Sequence, residues 1–130
     1  MRAQLINDAF GLSQATQIGA DLPLKLIAHL ESNADYLPWN VFIDRSKFYL
    51  DMIDHTKYGV SIQDYMAKLS KTYYRKFNNW YGNDTTGEKW VDRIIKTRFI
   101  SFSCLRGLKE CTDQAKEFFD KSKSAKDLTL

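Results

Sequence analysis

The stretch Cys104-Leu-Arg-Gly-Leu-Lys-Glu-Cys111 holds the only two cysteines in the chain. A pair so close can form a disulfide, supply half of a metal site, or pack as two separate core thiols. Zinc is the poorest fit, because the spacing is not a short Cys-x-x-Cys knuckle and the only histidines, His29 and His55, form no paired-ligand motif. In one continuous helix, residues seven apart lie about 10.5 Å apart along the axis. A disulfide needs Cα atoms within about 7 Å. The bond therefore requires a helix break between the cysteines, and Gly107 stands where a left-handed C-terminal cap would make one. On the chain-entropy account, closing that loop stabilises by about 2.5 kcal/mol, less any native strain. Two reduced thiols beside Phe102 and Ala115 are the reading a cytosolic compartment favours.

Other candidate chemistry is sparse. There is no His-Glu-x-x-His pair, no phosphate-cradling glycine loop and no serine elbow. Asp54-His55 has the form of an acid-oriented base, but it falls in a short connection without a nucleophile and reads as a solvated pair. His29, beside Leu26, Ile27 and Leu30, reads as a helix-face residue. No catalytic, cofactor-binding or metal-ligating residue is assigned. Tyr73, Tyr74, Phe77, Trp80 and Tyr81 offer stacking surfaces, yet at helical spacing they read as packing. Asn83-Asp-Thr85 is an N-glycosylation acceptor in the most loop-like stretch, which agrees with a secretory route.

The formal charge of +3 is small and its lysines and arginines alternate with acids. The densest basic group, Lys68, Lys71, Arg75 and Lys76, reads as a solvated helix face, so nucleic acid is not expected as a partner. No apolar run is long enough to enter a bilayer, and the polar start is no signal peptide, so an anchor or export signal is expected outside this chain.

The elements that would position these residues are helical throughout, and the fold class is all-α. The 130 residues, 44% hydrophobic and 27% charged, suit one domain with one core. A first helix over residues 2–15 places Leu5, Ile6, Ala9, Phe10 and Ser13 on one side. Asp21 is expected to cap a second, with Pro23 in its first turn and Leu26, Ile27 and Leu30 inward. A third starts at Asp35 or Tyr36, with Pro38 in its first turn, and runs through Trp39, Phe42, Ile43 and Leu50 to about Asp54. Residues 55–59 connect to a fourth, from Ser61, that carries Ile62, Tyr65, Met66, Leu69, Tyr73 and Phe77. Residues 82–87 are the clearest loop. Thr85 and Glu88 fit a capping box, so a fifth helix follows with Val91, Ile94, Ile95, Phe99 and Phe102 as its apolar face. A sixth, over residues 110–121, carries Cys111, Ala115, Phe118 and Phe119, and the end beyond it should fray. These make three consecutive hairpins, and spacing alone fits either an irregular α-solenoid or a closed bundle.

Two segments carry a resemblance. Arg2-Ala-Gln-Leu-Ile-Asn-Asp-Ala-Phe-Gly-Leu12 resembles the opening of the C-terminal helical domain of gluzincin aminopeptidases, the aminopeptidase N and endoplasmic-reticulum aminopeptidase type. Asp35-Tyr-Leu-Pro-Trp39 resembles that domain's next signature, in the right order and at the right separation. The likeness covers about residues 2–120. It implies a HEAT-like array of antiparallel helix hairpins covering a catalytic cleft, with this chain as the first part of that domain and Met1 as an added or replacement start. It also implies a disulfide between Cys104 and Cys111, as in secretory-pathway members. Zinc and the peptide amino-terminus site belong to the parent's separate catalytic domain, so this chain alone is not an enzyme and has no cofactor of its own.

The partners implied are the parent's catalytic domain, its peptide substrates, and a second copy in a homodimer. The implied location is an extracellular face, a secreted form or the endoplasmic-reticulum lumen. Two departures stand out: His29 where an aromatic is usual, and Asn33 where an acid is usual. They keep open a second reading, a helical interaction scaffold or the domain of a catalytically inactive relative.

Overall fold

The structure is a computed structural model and describes residues 1–32, 35–77 and 89–124. Six α-helices account for most of them: α1 (Arg2–Gln14), α2 (Asp21–Leu26), α3 (Tyr36–Ile53), α4 (Gly59–Tyr74), α5 (Trp90–Leu105) and α6 (Lys109–Ser124). Short 3-10 stretches, Ile27–Ser32 and Arg75–Phe77, extend α2 and α4. There is no strand among the described residues. The expectations at Asn33, the Phe77 side chain, Trp80, Tyr81, Asn83, the Thr85/Glu88 box and residues 125–130 fall outside them.

Local chemistry sets the helix ends. Pro38 and Pro23 each occupy the third position of a first turn, where an amide has no intrahelical partner to lose. Asp35 is extended and sets the entry to α3. Asp21 does not cap: it lies inside α2, after Ala20, and its carboxylate meets Lys25 Nζ at 2.9 Å, one turn on. The second helix also tightens to 3-10 from Ile27, but Ile27 and Leu30 still face the core. Helix α4 begins at Gly59, two residues before Ser61, because the Gly59 amide already bonds Thr56 O (3.1 Å). A Cβ at Gly59 would stand 2.7 Å from Asp54 O, so the α3–α4 corner needs glycine there.

The helices stack as hairpins in two layers. Helix α1 lies along α3, and α3 meets α5. On the other side the Ile27–Ser32 stretch packs on α4, while α6 reaches α4 through Gln114 to Tyr74 and its 3-10 extension through Glu110 to Arg75. Polar ties bridge neighbours in the first layer: Arg45 Nε of α3 donates to Asn7 of α1 (2.7 Å), and Arg98 of α5 pairs with Asp44 of α3.

Between the layers runs a chain of aromatic rings. Phe10 packs on Phe42 (6.1 Å) and Tyr49 (5.3 Å), and Trp39 sits among Phe42, Tyr73 and Phe99 at 5.8, 5.6 and 4.9 Å. Phe42 and Phe102 continue it at 5.6 Å. These pairs lie in the separation range where edge-to-face and offset packing is favourable. One buried serine on each central helix, Ser46, Ser70 and Ser103, bonds back to its own helix's carbonyls at Ile43, Ala67 and Phe99, so none of these three serine hydroxyls is left orphaned.

The core departs from the periodicity on α5 and α6. Phe99, Ile100 and Phe102 are buried, but Val91 and Ile94, expected inward, are exposed along with Trp90. Phe118 and Phe119 on α6 are exposed as well, and α6 stays helical past Lys121. The apolar face of α5 is real as a stripe, but only its C-terminal half meets α3 and α4.

Candidate functional site

The two segments that carry the resemblance meet in space. Arg2, Leu5 and Ile6 from α1 and Pro38 from α3 line one cavity of about 470 Å³ together with Leu26, His29, Leu30 and Ser32. Ile6, Leu30 and Pro38 are buried and form its apolar floor, whereas Arg2, Leu5, His29 and Ser32 are exposed at the rim. Helical spacing explains the arrangement: Arg2, Leu5 and Ile6 fall on one side of α1, and the 3-10 stretch turns His29 outward while Leu30 points to the core. Ser32 Oγ donates to His29 O (3.2 Å), which holds that turn. A basic guanidinium and an imidazole over an apolar floor can seat an apolar chain with a polar or anionic end.

Two phenols of α4, outside that lining, are shifted by their surroundings. Tyr65 donates its hydroxyl to Leu24 O (3.1 Å), and burial, then the Glu31 charge, push its pKa up. Tyr73 is raised in the same way, by burial first and then by Tyr36 and Asp35. Both phenols stay protonated at neutral pH; Tyr65 serves as a donor and Tyr73 as a packing surface.

The other singled-out residues have structural roles. Tyr73 stacks on Trp39 and Tyr74 donates to Gln114, as packing requires. Asp54 accepts a hydrogen bond from Gln63 and His55 is exposed. Lys71 and Arg75 converge on Glu110 of α6 at 3.5 and 2.7 Å, so half of the basic group ties two helices together. The Arg75 hydrogen bond, above all, holds the Glu110 carboxyl below its usual range. Among the described residues no three His, Cys, Asp or Glu side chains group as metal ligands. No described helix is long and apolar enough to cross a membrane.

Cys104 and Cys111 lie at disulfide distance, with Cα atoms 5.1 Å apart. The break that permits this is at Gly107, with φ +80°. Leu108 N bonds Ser103 O and Gly107 N bonds Cys104 O, both at 3.0 Å, which is the paired pattern of a Schellman cap. Sequence reasoning did not find the other left-handed residue, Thr16 at φ 60°, because threonine carries no signal for that conformation. It also missed the role of Arg2 as a cavity wall, for which the only signal was membership in a quoted segment.

The whole chain, residues 1–130, matches the family described as the ERAP1-like C-terminal domain. Aminopeptidase N of Bos taurus is 28% identical over 120 residues, covering 92% of this chain and 12% of that protein. The thyrotropin-releasing hormone-degrading ectoenzyme of Rattus norvegicus is 30% identical over 119 residues, covering 88% of this chain and 11% of its own length. Aminopeptidase N of Homo sapiens is 27% identical over 122 residues. The chain thus spans about 12% of the length of the curated relatives it matches.

Proposed function

The chain belongs to the ERAP1-like C-terminal domain family, matched over residues 1–130, and from that premise we propose that it is the first part of a helical domain that walls the peptide-binding cleft of an aminopeptidase. The observation that carries this reading is the meeting of the two signature segments and His29 on one apolar cavity with a basic rim. A wall of that kind accepts the apolar body of a peptide and holds a polar end. Closing it over a bound peptide excludes water and aligns the substrate, which is how rigid covers contribute to rate without touching the reacting bond.

Among the described residues no His, Cys, Asp or Glu group could hold the zinc that the family resemblance implies, and we place the hydrolytic chemistry in the catalytic domain of the parent. The cysteine pair is read as a disulfide formed in an oxidising compartment, which agrees with an extracellular or luminal location and with the word ectoenzyme in the rat relative's name.

The test uses the full-length parent protein, assayed with an aminoacyl anilide and with peptides of increasing length. The double substitution Arg2→Ala and His29→Ala is expected to raise KM for longer peptides by about tenfold, the loss of one charged contact, with the anilide unchanged. Equal kinetics on every substrate would remove the cleft-wall role. A parent without any peptidase activity would favour the scaffold reading.

A further inference from the structure

The cavity of about 470 Å³ between α1, the Ile27–Ser32 stretch and the start of α3 is in the size range of small-molecule sites, roughly 300–1,000 Å³. Its lining is divided. Ile6, Leu26, Leu30 and Pro38 supply an apolar floor, with Leu5 as an apolar wall at the rim. Arg2 and His29 stand at the mouth, and no acidic residue lines it. Neither of those two side chains makes a hydrogen bond or an ion pair with another described residue; only the backbone carbonyl of His29 is engaged, by Ser32.

The positive charge at the mouth is therefore uncompensated. A guanidinium is ionised at any physiological pH and presents a planar fork that matches a carboxylate, and either tautomer of an imidazole keeps one N–H to donate. The remaining lining restricts what can follow the anion inward. Ser32 Oγ is already donated to His29 O, and the leucine, isoleucine and proline side chains of the floor offer no donor or acceptor. An amide buried there would lose its hydrogen bonds to water without replacement, which is costly. A hydrocarbon tail meets no such cost, whereas a peptide can place only a side chain on the floor.

We propose that this cavity binds a free monocarboxylate with a hydrocarbon tail, the carboxylate at Arg2 and His29 and the tail on Ile6, Leu26, Leu30 and Pro38. Resting on the cleft-wall reading, such a molecule competes there with the peptides of the parent and slows their cleavage.

The experiment is an amide-resolved NMR titration of the 130-residue chain with octanoate, using octanol, acetate and N-acetyl-L-leucine as comparison probes. Saturable shifts at Leu5, Ile6, His29 and Leu30 are expected with octanoate. Octanol and acetate, each lacking one half of the ligand, are expected to bind at least about tenfold more weakly. Arg2→Ala, at an exposed position, is expected to weaken octanoate about tenfold and to leave octanol unchanged. Leu5→Glu, also at an exposed position, is expected to weaken octanoate to a similar degree by facing its carboxylate with another. No saturable shift, equal binding of octanol and octanoate, or unchanged affinity in Arg2→Ala would overturn the site. Tighter binding of N-acetyl-L-leucine than of octanoate would overturn the free-acid assignment in favour of a peptide terminus. In the full-length parent, octanoate is expected to raise KM for the longer peptides by up to about tenfold, the ceiling set by the Arg2 and His29 double substitution, with the anilide unchanged. Octanoate bound without that rise would overturn the competition and the cleft wall but not the carboxylate site, whereas failure of octanoate to bind would overturn the carboxylate site alone.

Discussion

Among the described residues two helices end on a left-handed residue, and they do so with different side chains. After α5 the residue is Gly107, which meets no steric penalty there; after α1 it is Thr16, with the same cap geometry: Gln17 N bonds Leu12 O at 2.9 Å and Thr16 N bonds Ser13 O at 3.0 Å. The left-handed conformation costs an L-residue about 1–2 kcal/mol. Glycine would relieve it while adding freedom to the unfolded chain worth up to about 1 kcal/mol. Thr16→Gly is therefore expected to stabilise the chain by about 0.5–1 kcal/mol, read as a higher urea midpoint with an unchanged slope. A lower midpoint would mean that the threonine side chain makes a compensating contact. Gly107 was legible in the sequence because glycine between two cysteines has one economical use. Thr16 was not, because the conformation is imposed by the return of the chain from α1 to α2 and not by its own propensity.

At the scale of the elements, the α5–α6 corner shows how a residue pattern becomes a geometry. The Schellman cap ends α5 at Leu105, Leu108 is buried beneath the turn, and α6 starts at Lys109, which brings residues seven apart to a Cα separation of 5.1 Å. The cap depends on no long-range contact, so it could be anticipated from eight residues, whereas those residues left the bond open and only the family resemblance implied it. After expression through an oxidising route, both thiols are expected to resist alkylation within one monomer by intact mass, and to react only after reduction. The reduced chain should unfold at lower urea, by at most about 2.5 kcal/mol. Two freely alkylated thiols in the folded chain would refute the bond. The extent of the α5 core, by contrast, was not legible. Periodicity reports that Val91, Ile94, Ile95, Phe99 and Phe102 share a stripe, but which part of it is covered depends on where α3 and α4 lie. The convergence of Arg2, His29 and Pro38 was hidden for the same reason: they come from three elements, and only the stacked hairpins make them neighbours.

At the scale of the whole molecule, the array ends in an uneven distribution of apolar surface. Trp90, 68% exposed, lies one turn from Ile94 on α5, with Val91 next to it in sequence and exposed as well. Hairpin arrays are stabilised by interfaces between neighbours, so a face of this kind is where an adjoining helix or another molecule gains the most by burial. In the 130-residue chain the available partner is a second copy. Its weight-average sedimentation coefficient is expected to rise toward a dimer as concentration increases about a hundredfold, because association follows mass action. Ile94→Glu places a charge on the stripe at a position already half open to solvent, so it should return the chain to monomer while shifting stability by no more than about 0.5 kcal/mol. A monomer at every concentration would show that this face is too small or too interrupted to hold two copies together. Persistence of the dimer in Ile94→Glu would move the contact elsewhere, with the open side of α1, where Leu5 and Leu12 are exposed, as the next surface to substitute.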